Sequence, residues 1–157
     1  MRLWRVDDVM TSDVVTVRED TLCHEIVDLL VRRRIGAVPV VDDEGHAIGV
    51  VSASDLLPGP YAAPSGRYRH VRHQGLAAVA RDVMSRPAVV AQPSLAVDFA
   101  ARLMRRAKVH RLVVVDRRGR VGGIVTRRDL LRTRLVGESP HEPGPSALPP
   151  RRTADLT

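Results

Sequence analysis

A single cysteine, Cys23, stands in the 157-residue chain, which rules out an intrachain disulfide and any zinc site built from cysteines. Aromatic residues make up only 3% of the sequence, one Trp, one Phe and two Tyr, too few to stack the bases of single-stranded nucleic acid. No apolar run approaches the ~20 residues that span a bilayer, and the chain does not open with a basic stretch followed by an apolar one. The groups of catalysis are missing too. No nucleophile stands beside a credible base, no cluster has metal-ligand spacing, and no Gly-rich phosphate loop ends in Lys. These absences lead to the expectation of a soluble, cytoplasmic protein that is not an enzyme and has no membrane partner.

What the chain does have is a core-forming share of Val, Ala, Leu and Ile within its 44% hydrophobic residues, and a net charge of +7 that is unevenly spread. Residues 1–57 hold six Arg against eleven acids, whereas residues 80–131 hold twelve basic groups against four acids. The second half could attract nucleic acid by charge alone, but it carries no recognition helix or RNA-binding signature, so nucleic acid is not the expected partner.

The pattern that organises the chain is an internal repeat. Val9-Met10 recurs as Val83-Met84, an offset of 74 residues. At the same offset Leu29 meets Leu103, Val40-Val41-Asp42 meets Val114-Val115-Asp116, Gly45 meets Gly119, Gly49 meets Gly123, and Asp55-Leu56-Leu57 meets Asp129-Leu130-Leu131. Each copy predicts the same elements. A strand over Val14 to Val17, or Ala88 to Ala91, precedes an amphipathic helix marked by Leu22, Ile26, Leu29 and Leu30, or by Leu95, Phe99, Leu103 and Met104. The helix ends in a basic turn, two strands follow about a polar turn, and a short helix starts near Asp55 or Asp129. The fold class is therefore α/β with small, α+β-like sheets, in two copies at 7–57 and 80–134. Residues 58–79 form a connector and residues 135–157 a disordered tail containing Pro and Arg.

These residues resemble the pair of cystathionine β-synthase (CBS) domains often called a Bateman module. The likeness rests on Asp8-Val9-Met10 with Asp82-Val83-Met84, on Gly36 to Asp42 with His110 to Asp116, and on the closing Gly-x-x-Ser/Thr-x-x-Asp-Leu-Leu. It implies two copies packed about a pseudo-twofold axis, clefts that bind adenosine-containing ligands, and regulation of an attached or separate protein. Asp55 and Asp129 would hold ribose hydroxyls, with Ser52 and Thr126 beside them, and His110 with Arg111 and Arg128 would face phosphate. Ser54 stands in the place of Arg128. Val15 or Val38 in one half, and Val89 or Leu112 in the other, would flank the adenine. Other roles remain open for these residues: Ser52 and Thr126 with Asp three positions on also make helix caps, His110 also suits a solvated surface, and the apolar residues also suit a core. AMP, ADP or ATP is the expected regulatory ligand, and a homodimer and an unidentified protein target the expected partners. The alternative is an assembly protein whose clefts are vestigial, with the acidic half of one chain facing the basic half of another. Cys23-His24 is read as ordinary helix, and the basic connector with Arg67, Arg69, His70, Arg72 and His73 as a solvated loop.

Overall fold

The structure, a computed structural model, describes residues 3–57, 78–136 and 151–152. In chain order its elements are β1 (Thr11–Ser12), β2 (Val17–Arg18), α1 (Cys23–Arg33), β3 (Ala37–Val41), β4 (Ala47–Ser52), α2 (Ala53–Leu56), α3 (Ala80–Val83), β5 (Val90–Ala91), α4 (Val97–Ala107), β6 (Arg111–Val115), β7 (Val121–Thr126), α5 (Arg127–Val136) and β8 (Arg151–Arg152). Residues 58–77 of the connector, including Arg67, Arg69, His70, Arg72 and His73, lie outside the described residues, as does most of the tail. Within that tail Arg151–Arg152 forms a strand.

The chain divides into two compact units. The first is Val15–Ala88, and the second joins Met1–Val14 to Val89–Asp155. The order strand, helix, strand, strand, helix holds in both, but the initial strands are short, Val17–Arg18 and Val90–Ala91, so Val15 and Val89 sit in the extended segments ahead of them.

In the first unit β2 runs parallel to β3, and β3 antiparallel to β4 with Ala37 opposite Ser52 and Val38 opposite Val51. In the second unit β5 runs parallel to β6, and β6 antiparallel to β7 with Arg111 opposite Thr126 and Leu112 opposite Val125. The second sheet continues through β1 to β8.

The opening motifs are exchanged between copies. Thr11, just after Asp8-Val9-Met10, pairs with Ile124 of β7, and Ser85, just after Asp82-Val83-Met84, pairs with Val50 of β4. The motif's residue types explain themselves here. Asp8 and Asp82 each accept a hydrogen bond from a backbone N–H three residues earlier, Arg5 N at 2.8 Å and Val79 N at 2.9 Å, which starts a helical turn. Val9 and Val83 are buried in the second and first cores respectively. Met10 and Met84 lie against Gly123 and Gly49: a Cβ on Gly123 would stand 2.7 Å from Met10 Sδ and 3.0 Å from the Thr11 carbonyl oxygen, and one on Gly49 would stand 2.8 Å from Met84 Sδ. Glycine is required by this close approach.

The repeated Asp and Gly of the β3–β4 and β6–β7 turns are structural as well. Asp42 Oδ1 accepts hydrogen bonds from the N–H groups of Glu44 and His46, and Asp116 Oδ1 from those of Arg118 and Arg120. Gly45 and Gly119 adopt φ of 85° and 78°, a region other residues avoid.

Ile26, Val38, Val40, Val51 and Met84 fill the first core, and Val6, Ala100, Met104, Leu112 and Val125 the second. One expected core residue is misplaced by the helical pattern. Phe99 is 57% exposed, because the position aligned with buried Ile26 is Ala100, whose small side chain weakens the apolar signal. The Phe99 ring instead carries the Arg102 guanidinium 5.2 Å from its centre.

Gly123→Val is expected to lower stability by about 1–3 kcal/mol in urea unfolding. A Cβ on Gly122 meets nothing within 4 Å, so Gly122→Ala should stay within about 0.5 kcal/mol of the parent.

The backbone N–H of His46, with that of Glu44, holds the Asp42 carboxyl below its ordinary range, and those of Arg120 and Arg118 do the same for Asp116. A depressed folded value contributes stability above the ordinary carboxylate range and loses it as the pH falls through the folded value. Replacing both by Asn should flatten the acid limb of urea midpoints against pH; an unchanged limb would show that the turns do not titrate with folding.

Candidate functional site

The antiparallel register of β6 and β7 brings sequence-distant residues to one end of the second sheet. Arg111 faces Thr126, and the Arg127 N–H donates to the His110 carbonyl oxygen at 3.1 Å. His110, Arg127 and Arg128 are exposed and Arg111 is half-buried. Asp129 follows one helical turn inside. Its Oδ2 accepts hydrogen bonds from Thr126 N and Thr126 Oγ1, both at 2.9 Å, and the Asp129 N–H donates back to Thr126 Oγ1 at 3.3 Å.

The first unit repeats this backbone with different side chains. The Ala53 N–H donates to the Gly36 carbonyl oxygen at 2.8 Å, Ser52 N and Ser52 Oγ donate to Asp55 Oδ2 at 2.8 and 2.9 Å, and the Ser52 and Ser54 hydroxyls are 2.9 Å apart. The capping role is thus real in both copies. Both carboxylates are buried, Asp55 at 8% exposure and Asp129 at 1%.

The four apolar residues expected near adenine fall into two kinds. Val38 and Leu112 are 0% exposed, so their side chains belong to the cores. Val15 and Val89 are half-buried, and the Val89 carbonyl oxygen accepts a hydrogen bond from Val113 N at 3.0 Å. Sequence reasoning missed Arg127 and its counterpart Ala53, although the 74-residue offset places both one step from the residues it selected.

A groove of about 410 Å³ runs between α4 and α5, floored by Val97, Met104 and Leu130 and rimmed by Arg105, Arg127 and Arg134. Phe99, Leu131 and Leu135 are exposed on the same helices. Cys23 is buried, and burial, with Asp82 nearby, pushes its thiol up to about 11. Among the described residues no group of three or more His, Cys, Asp and Glu could hold a metal ion, and no helix is long and apolar enough to cross a membrane.

The family model for the CBS domain matches residues 6–58 and again residues 80–135. The chain is 30% identical to the uncharacterized protein MJ1426 of Methanocaldococcus jannaschii over 80% of its own length and 88% of that protein's. It is 33% identical to inosine-5'-monophosphate dehydrogenase of Mycobacterium tuberculosis over 79% of this chain but only 21% of the enzyme. Among solved structures it is similar to CBSX2 of Arabidopsis thaliana in complex with AMP, at 32% identity and a TM-score of 0.69, over 84% of this chain and 96% of that one.

Replacing Ser52 or Thr126 by Ala removes one hydroxyl donor to a capping carboxylate and should cost about 1 kcal/mol in each case. Thermal unfolding of the two single variants checks this; no change would show that the hydroxyls do not support the caps.

Proposed function

The chain belongs to the CBS domain family, and from that premise we propose that it is a non-catalytic regulatory module that binds an adenine nucleotide and acts in trans on a protein partner. The observation that carries the reading is the joining of His110, Arg111, Arg127 and Arg128 to Thr126 and Asp129 at one sheet end, tied by the Arg127 N–H to the His110 carbonyl oxygen. Guanidinium and imidazole groups suit phosphate, and the hydroxyl and carboxylate suit a ribose diol. AMP in the similar CBSX2 structure supports an adenosyl ligand. The match to the dehydrogenase leaves most of that enzyme outside it, so its chemistry is no guide to this chain.

Asp129 is closed in this structure, so the ligand must select a conformation in which the carboxylate is open, and that differential affinity is what shifts the population a partner recognises. Val15 and Val89, which keep some exposure, are the apolar residues able to touch the base, whereas the Val38 and Leu112 side chains lie in the cores.

Dimerisation is a second reading, compatible with the first. Exposed Leu131 on the wall of the groove, with Phe99 and Leu135 exposed elsewhere on the same helices, favours burial against another chain, and the uneven charge favours contact between unlike halves.

Isothermal titration with AMP, ADP, ATP and S-adenosylmethionine tests the proposal. One of the nucleotides should bind with a Kd on the order of micromolar, and His110→Ala and Asp129→Asn should each weaken it about tenfold. Silence from all four ligands, with a dimer that Leu131→Glu converts to monomer in sedimentation equilibrium, would leave assembly as the function.

A further inference from the structure

The two units share a backbone at the candidate site and differ in what it displays. Where the second unit has His110, Arg111, Arg127 and Arg128, the first has Gly36, Ala37, Ala53 and Ser54 at the 74-residue offset. The equivalence is geometric as well as sequential, since Ala37 faces Ser52 as Arg111 faces Thr126, and the Ala53 and Arg127 N–H groups make the same bond back to Gly36 and His110. The carboxylate and its neighbouring hydroxyl are kept in both. The cation that follows each long helix, Arg34 or Lys108, is also common to both. At the candidate site the two units thus differ in charge at these four positions.

Resting on the adenosyl-ligand reading, we infer that the units take different ligands: a nucleoside polyphosphate in the second, and an adenosyl compound without phosphate in the first. Three or four negative charges leaving water need paired cations, which Arg127 and Arg128 offer from exposed positions, with the exposed His110 imidazole as a further hydrogen-bonding partner. The first unit has nothing charged at those four places, so a phosphate there would be less well compensated than in the second. It offers instead the Ser52, Ser54 and Asp55 chain of hydroxyls and carboxylate, which suits a sugar diol and a neutral 5′ substituent. One chain would then report on two compounds.

The test is titration of the full chain with ATP and with 5′-methylthioadenosine, separately and in competition. ATP should fill one site and weaken steeply with salt, while methylthioadenosine fills another, weakens little with salt and does not displace ATP. Arg127→Ala with Arg128→Ser, both exposed positions, should lower ATP affinity at least about tenfold and leave methylthioadenosine binding in place. The reverse exchange, Ala53→Arg with Ser54→Arg, should give ATP a second site. Direct competition between the two compounds for the same sites, or ATP binding untouched by the arginine exchange, would overturn this inference while leaving an adenosyl module standing; no binding of either compound would overturn the module itself.

Discussion

The contact on which the rest depends is the seating of a methionine and the strand after it on a glycine of the other copy's sheet. Met10 over Gly123 and Met84 over Gly49 bring Thr11 and Ser85 within pairing distance of β7 and β4. Each core also takes side chains from the exchanged segment, Val6 and Val9 in the second and Ala80 and Val83 in the first. The central hairpins, folded about the Asp42–Gly45 and Asp116–Gly119 turns, place Ser52 and Thr126 opposite Ala37 and Arg111 beside that contact.

Comparison of the copies separates the groups that build the fold from those that select a ligand. The opening Asp, the turn Asp and Gly, and the glycine under the methionine recur because each satisfies a backbone donor or a steric limit. The residues around the His110 and Gly36 carbonyl oxygens do not recur, although the bonds to those oxygens do. Such a site can change its chemistry without disturbing its scaffold, because the hydrogen bonds that set its geometry belong to the backbone.

Much of this was legible in the sequence. Alternating and helical periodicity marked the long helices and the central hairpins, and pairing the hairpin strands already places His110 near Thr126. Phe99 was misjudged because periodicity weighs size, and the aligned core position holds only Ala100. The exchange of opening motifs left no local trace: a repeat shows which segments are alike, not whose sheet they join, and two-residue strands such as β1 have no period to read. Arg127 escaped notice because its backbone, rather than any motif, ties it to His110. The burial of Asp55 and Asp129 depends on packing, which no spacing encodes.

The exchange also orders events during synthesis. Residues 3–14 leave the ribosome before their pairing partner Ile124, which emerges more than a hundred residues later. At ~5–20 residues per second that delay is on the order of ten seconds, during which Val6, Val9 and Met10 have no core of their own to enter. The nascent chain thus holds an apolar segment in reserve, and chaperones or a growing neighbour on the same message have that interval in which to meet it.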